Sequence, residues 1–371
     1  MDSDHLPILT SICALALVLQ HQGKYEEAKQ MNGWALDSCE KALGKDHPSI
    51  LTIVDNLALV LRNQGKYEKA EQMNRRALDG REKALGKNHP STLSSVNNLA
   101  LVLRHQGKYE KAEQMNRRAL DGCEKALGKD HPSTLTSVDN LALMLRDQGK
   151  YEEAKQMNRR ALDGYQKALG RDHPSTLTSV DNLAGVLRDQ GKYEEAEQTS
   201  RRALGGREKA LGKNHPDTLT SVNNLALMLG DQGKYEEAEQ ISRRALDGRE
   251  KALGKDHPDT LTSVDILAGM LRDQGKYEEA EQINRRALDG YQKALGKDHP
   301  STLMSIYNLA YLYQQQHRLE EADQFYLTAL DGLKKVLGPV HPTTLACESH
   351  HASLRRRFGD ERRRKRSAKH S

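Results

Sequence analysis

The amino-acid sequence predicts an all-α solenoid of stacked helix hairpins, and three observations carry that expectation. The pair His-Pro falls at 47, 89, 131, 173, 215, 257, 299 and 341, always 42 residues apart, and a degenerate copy, HLPILTS, starts at His5. Each period holds two stretches with apolar residues at helical spacing. The chain is 36% hydrophobic and 4% aromatic, thin for one globular core but suited to a structure two helices thick, filled by Leu and Ala. A hairpin that cannot bury its own apolar stripe is covered by the next copy, which is the logic of a repeat array. The low hydropathy could mean disorder instead, but the strict periodicity argues against it.

In the copy from His47, the first helix is expected over 49–64. Leu51, Val54, Leu57, Ala58 and Leu61 fall on one face. Pro48 sits where a first-turn proline is tolerated, because its missing N–H would be unpaired anyway. The segment around His47 reads as an N-terminal cap. Gly65 and Lys66 form a tight turn. The second helix is expected over 67–85, with Tyr67, Ala70, Ala77, Leu78, Ala84 and Leu85 as its stripe and Gly86 as a left-handed stop. Asn74 lies on that stripe. Gly80 interrupts the helix at a cost of about 1 kcal/mol relative to Ala and recurs at 122, 164, 206, 248, 290 and 332. It reads as a close-packing point or a kink.

Taken along the chain, residues 1–46 form an irregular first repeat or N-terminal cap, with Cys13-Ala14 replacing the Asp-Asn of later copies. Residues 47–298 hold six near-identical repeats. Residues 299–340 form an aromatic-rich repeat with Tyr307, Tyr311, Tyr313, Phe325 and Tyr326, a closing cap counted as the seventh complete copy. Seven hairpins over 5–340 give an expectation of about fourteen helices. Residues 341–371 are a degenerate partial repeat and basic tail. There Cys347 to His351 is expected to have lost the apolar spacing, with Gly359 at the hairpin-glycine position and His350-His351 exposed.

Formal net charge is +5, but residues 355–371 carry nine Lys/Arg against two acids, which leaves −2 for the rest of the chain. The array is close to neutral, which argues against a nucleic-acid partner except through the tail. The tail itself reads as a solvated terminus, or as a nuclear-import or polyanion-binding patch. The four cysteines, Cys13, Cys39, Cys123 and Cys347, form no metal-ligand or redox pair by spacing, which suits a reducing compartment. Neither an 18-residue apolar run nor a basic-then-apolar leader is present, so a cytoplasmic, non-membrane protein is expected.

Little chemistry is visible. The run from Gly80 to Lys87 has five residues between its glycines, where a phosphate-binding loop needs four, and lacks the following Ser or Thr. Nine of the fifteen His occupy one place in the repeat, a hairpin apart and too far to share a metal. The Arg-Arg pairs at 75–76, 117–118, 159–160, 201–202, 243–244 and 285–286 read as a solvated outer face, supported by pairs such as Glu71 with Arg75. No nucleophile–base set emerges, and no cofactor, metal or catalytic residue is expected.

The remaining face of the first helix is the candidate binding groove. Asn56 recurs as Asn98, Asn140, Asn182, Asn224 and Asn308, and Arg62 as Arg104, Arg146, Arg188 and Arg272. Asn can donate to and accept from an extended peptide backbone, and Arg can grip a carboxylate. Edits fall partly on this face. The Asn63 position reads His21, His105, Asp147, Asp189, Asp231, Asp273 and Gln315 in other copies, while Gly185, Gly269 and Tyr311 replace Leu59. Tailored recognition and surface drift both account for them.

The unit resembles the tetratricopeptide repeat in the long form found in kinesin light chains. The resemblance rests on Asn140-Leu141-Ala142, on Gln148 to Ala154 (QGKYEEA), on Arg160 to Leu162, and on Lys167 to Pro174 (KALGRDHP). It covers about 90% of the chain. The fuller wording looks most like arrays of fungal nucleotide-binding, receptor-type proteins. The resemblance implies a right-handed superhelical solenoid whose concave groove binds a protein or extended peptide. In the light-chain family the N-N-L-A asparagines face that groove, which carries over to Asn98 and Asn224 with Asn97 and Asn223. Three departures follow. No heptad segment for joining a motor is seen. Asp55, Asp139, Asp181 and Asp265 replace the first groove Asn, which makes an acidic motif less welcome. Asn74, Ser200 and Ser242 stand where an aromatic often packs. The expected function is a non-catalytic binding scaffold of unspecified oligomeric state. The alternatives are the ligand-sensing region of a fungal signalling NTPase and an accessory subunit of a kinesin-type motor.

Overall fold

A computed structural model describes residues 5–45 and 47–367, and every described element is an α-helix. The chain divides into two compact units, Met1–Gly233 and Lys234–Ser371. The first contains α1 (His5–His21), α2 (Tyr25–Leu43), α3 (Pro48–Asn63), α4 (Tyr67–Leu85), α5 (Pro90–His105), α6 (Tyr109–Leu127), α7 (Pro132–Asp147), α8 (Tyr151–Leu169), α9 (Pro174–Asp189), α10 (Tyr193–Leu211) and α11 (Pro216–Asp231). The second contains α12 (Tyr235–Leu253), α13 (Pro258–Asp273), α14 (Tyr277–Leu295), α15 (Pro300–Gln315), α16 (Leu319–Val336) and α17 (Pro342–Ser367). Within each unit, consecutive helices pair as hairpins and each hairpin stacks on the next. Sixteen repeat helices precede α17, not fourteen. The stretch 5–340 holds eight 42-residue periods, and the irregular first one folds as α1 and α2.

The His-Pro signature works as a cap. The ring Nδ1 of His47 accepts a hydrogen bond from the Ser49 backbone N–H at 3.2 Å, and the same bond recurs at His89, His131, His173, His215, His257, His299 and His341. It satisfies one of the unpaired N–H groups at a helix start. At the other end, Gly86 closes α4 at φ 89° and ψ 164°. This is an extended, positive-φ conformation open to glycine, not the left-handed helical stop expected from the sequence. Its carbonyl accepts from Thr92 Oγ1 at 2.9 Å.

Packing follows the expected stripe in the first helix of each hairpin, with Leu51, Val54, Ala58 and Leu61 of α3 buried. The second helix differs. Ala70, Asn74, Ala77, Leu78, Gly80 and Arg81 of α4 are buried, whereas Ala84 and Leu85 are exposed. The recurrent glycine is a close-packing point and makes no kink, since α4 runs through Gly80 unbroken and an added Cβ would stand 2.7 Å from Leu51 Cδ2. The Arg-Arg pairs are not simply solvated. Arg75 pairs with Glu71 one turn away at 2.8 Å, but Arg76 reaches Glu40 of the preceding hairpin, and Arg118 and Arg160 reach Glu82 and Glu124.

In the second unit the aromatic repeat shares its core with α17, which covers it. Tyr313 and Tyr326 are fully buried and join Leu330, Leu333, Cys347 and Leu354 in one cluster. Residues 347–351 therefore keep a core-facing side, with Thr344, Cys347, His351 and Leu354 buried at helical spacing. His350 and His351 are not an exposed pair. His350 stacks on Tyr311 at 5.1 Å and bonds the Tyr307 hydroxyl at 2.8 Å, while His351 Nε2 bonds Asp323 at 2.7 Å. No hairpin turn forms at Gly359, because α17 continues to Ser367. The side chains of the basic tail from 358 onward lie outside the described residues.

Candidate binding face

The 42-residue period places one asparagine on the first helix of each of several hairpins. In the first unit Asn56, Asn98, Asn140, Asn182 and Asn224 lie on α3, α5, α7, α9 and α11, all half-buried, and in the second unit Asn308 on α15 is likewise half-buried. Arg62, Arg104, Arg146, Arg188 and Arg272 are also half-buried. Four of these guanidinia already have anionic partners, Arg272 pairing with its neighbour Asp273 at 2.8 Å and the other three across hairpins. Arg104 binds Asp147, Arg146 binds Asp189 at 2.6 Å, and Arg188 binds Asp231, each reaching the next hairpin. Asp147, Asp189 and Asp231 at the Asn63 position thus supply counter-ions to the arginine of the repeat before, whereas Asp273, preceded by Gly230 at the arginine place, pairs with Arg272 of its own repeat. Gly185 is an edit of the same kind, for a Cβ there would stand 2.8 Å from Arg146 Nη1. In the second unit Arg272 lies over the Tyr311 ring, 5.0 Å from its centroid, a cation–π contact. The face is a charge-balanced polar wall rather than a row of open arginine forks.

Behind this row lies a network that the motif reading missed. In the repeat from His173, Arg207 is buried and its Nη1 donates to Asp181 at 2.6 Å, Ser221 Oγ at 2.7 Å and the Asp217 carbonyl at 3.0 Å. Arg81, Asp55 and Ser95 repeat the arrangement. Where the arginine position carries tyrosine, the acid has no guanidinium. Asp139 accepts from Ser179 Oγ at 2.6 Å, while Tyr165 turns its hydroxyl to Thr136 at 2.9 Å. Burial pushes the Asp139 carboxyl up to about 7 against the opposing pull of Ser179 and the Asn182 amide. Asp265 is raised to about 7 for the same reason, beside Tyr291, Ser305 and Asn308. The first repeat places Cys13 and Cys39 at the two corresponding positions. The spacing of Asp55 with Arg81 and Asp181 with Arg207, 26 residues apart, was the available signal, which Asp139 with Tyr165, Asp265 with Tyr291 and Asn223 with Arg249 break.

Among the described residues no cluster of three or more His, Cys, Asp and Glu could hold a metal ion, and no described helix is long and apolar enough to cross a membrane. The family model for the tetratricopeptide repeat matches residues 7–83, 50–125, 91–167, 133–209, 176–251, 217–265, 264–335 and 302–363. The chain belongs to the tetratricopeptide-repeat family. No curated protein matches it. Among solved structures it is similar to a Podosopora anserina kinesin light chain of nearly identical TPR-like repeats, with 27% identity and a TM-score of 0.47 over 56% of this chain and 97% of that one. A Rap protein complexed with competence and sporulation factor gives 12% identity and a TM-score of 0.57 over 95% and 99%. The apo form of the quorum sensor NprR from B. thuringiensis gives 16% and 0.59 over 90% and 89%. The last two likenesses are of fold alone.

Proposed function

We propose that this tetratricopeptide array is a non-catalytic scaffold that holds a protein or extended peptide along the asparagine face of its first helices. The observation that carries the reading is the recurrence, hairpin after hairpin, of a half-buried Asn beside an Arg anchored to the next repeat. Such a wall can pair with a peptide backbone through its amides, at a register set by the repeat spacing. It carries little net charge, so a partner with mixed or neutral side chains fits better than a strongly acidic one. Membership of a family made up typically of protein-interaction modules supports the reading. The four free cysteines suit a reducing compartment, and we place the scaffold in the cytoplasm. The test is capture from lysate by the intact chain and by the triple variant Asn98→Ala, Asn140→Ala, Asn182→Ala, after circular dichroism shows both to be helical. Loss of the same partners from the variant supports the face. Unchanged capture by the variant overturns it.

A further inference from the structure

The outer face of the first hairpin differs from every copy behind it. In the rest of the first unit, one apolar residue of each first helix inserts into the hairpin before it. Val60 packs among Leu19 and Ala28, Val102 on Leu61 and Ala70, Val186 on Leu141, Leu145 and Ala154, and Met228 on Ala184, Leu187 and Ala196. All four are at most 2% exposed. The corresponding residue of α1 is Val18, and it is 50% exposed. Leu15, which corresponds to the half-buried Leu57, is 45% exposed. The second helix shows the same contrast in its polar contacts. Six copies carry Arg at the place of Arg76, and Arg76, Arg118 and Arg160 each reach a glutamate of the preceding hairpin. In α2 that place is taken by Trp34, the single tryptophan of the chain, 58% exposed.

We propose that this face is a self-association surface on which two copies of the chain meet symmetrically, α1 and α2 of one against α1 and α2 of the other. Three arguments select a second copy in this orientation. The face continues the hairpin-stacking surface of the array, so its knobs Leu15 and Val18 already have the shape that buries helices. Another standard hairpin fits it less well than it fits later copies, because its glutamate would meet Trp34 in place of an arginine. A head-to-tail arrangement would not repeat the hairpin stacking, since the opposite face of the last hairpin is covered by α17, whose Cys347 and Leu354 share a core with Leu333 and Ala329. A two-fold contact sets the uncharged side chains Leu15, Val18 and Trp34 of one copy against those of the other, with Lys24, at the place of Lys66, at the edge of the face. Tryptophan is the residue most suited to anchoring such a patch.

The test uses the full chain and its own indole. Sedimentation equilibrium over a hundredfold range of concentration is expected to show a mass rising from 41.6 kDa to twice that value. The tryptophan emission should shift to the blue in parallel. Trp34→Arg, which installs the residue of six later repeats, is expected to keep the helical circular dichroism and weaken association about tenfold or more. Trp34→Phe should retain most of it. A chain that stays monomeric with the emission of an exposed indole overturns the proposal, and leaves the face to an upstream segment or a different protein. Dimerisation that Trp34→Arg does not change overturns it as well, because the contact then lies elsewhere.

Discussion

A Cβ placed on Gly206 would stand 2.6 Å from Leu177 Cδ2, while one placed on the adjacent Gly205 would meet nothing within 4 Å. Both glycines lie within α10, so replacing either by Ala removes the same backbone-entropy penalty, roughly 0.5–1 kcal/mol. Only Gly206→Ala forces Leu177 to move, and overpacking of that kind costs about 1–3 kcal/mol. Gly205→Ala is therefore expected to raise the midpoint of thermal unfolding and Gly206→Ala to lower it. Adding Leu177→Val to Gly206→Ala should recover part of the loss. If both single variants stabilise, the glycine is there for another reason than close approach.

That contrast marks how far the sequence was legible. The period, the helix pairs and the capping His were readable because they depend on local chemistry repeated in every copy. The stripe of the second helix was misjudged at its C-terminal end, where Leu85 is exposed and Arg81 buried. A buried arginine becomes intelligible only with Asp55 and Ser95 in place, and both come from other helices. The Arg104–Asp147 bridge was hidden for the same reason, since its partners lie 43 residues apart. The loss of apolar spacing expected over Cys347 to His351 failed because His351, bonded to Asp323, serves as a core residue.

Asp139 gives the array a pH dependence of unusual sign. Its carboxyl is raised to about 7 by burial, its Oδ1 is shut away from solvent without a partner, and its value in the unfolded chain is near 4. Between those values the folded state holds a proton that the unfolded state releases. The contribution to stability is therefore full below about pH 4 and is lost as pH rises toward 7, with a slope of at most about 1.4 kcal/mol per pH unit. Asp139→Asn, the residue found at the equivalent position 97, is expected to raise the unfolding midpoint at pH 8 and to change little at pH 4. Equal effects at both pH values would show that Asp139 is already ionised throughout.

Glu113 has the opposite sign. Burial works against its charge, but Lys150 at 2.9 Å, Arg117 at 2.7 Å and Gln148 at 2.8 Å outweigh it and hold the carboxyl down at about 2. Its contribution is present above the usual carboxylate range, near pH 4.5, and is lost as pH falls toward 2. Lys150 and Arg117 are largely exposed, so the contribution is modest, about 1 kcal/mol. Glu113→Gln should lower the unfolding midpoint at pH 7, and the difference from the unaltered chain should vanish at pH 2. A difference that persists in acid would assign the effect to packing instead of charge.

The ion pairs of the candidate face set what it can bind. Arg104, Arg146 and Arg188 are each neutralised by an aspartate of the next hairpin, so an acidic peptide meets no uncompensated positive charge from these three. The triple variant Asp147→Asn, Asp189→Asn, Asp231→Asn keeps the shape of the wall and removes those three counter-ions. Its affinity for a fluorescent oligoglutamate peptide, read by polarisation, is expected to rise about tenfold or more at low salt and to fall back as salt is added. A neutral peptide of the same length should show no such gain. If the variant binds oligoglutamate no better than the original chain, the three arginines do not face the bound peptide, and the asparagine row must act without them.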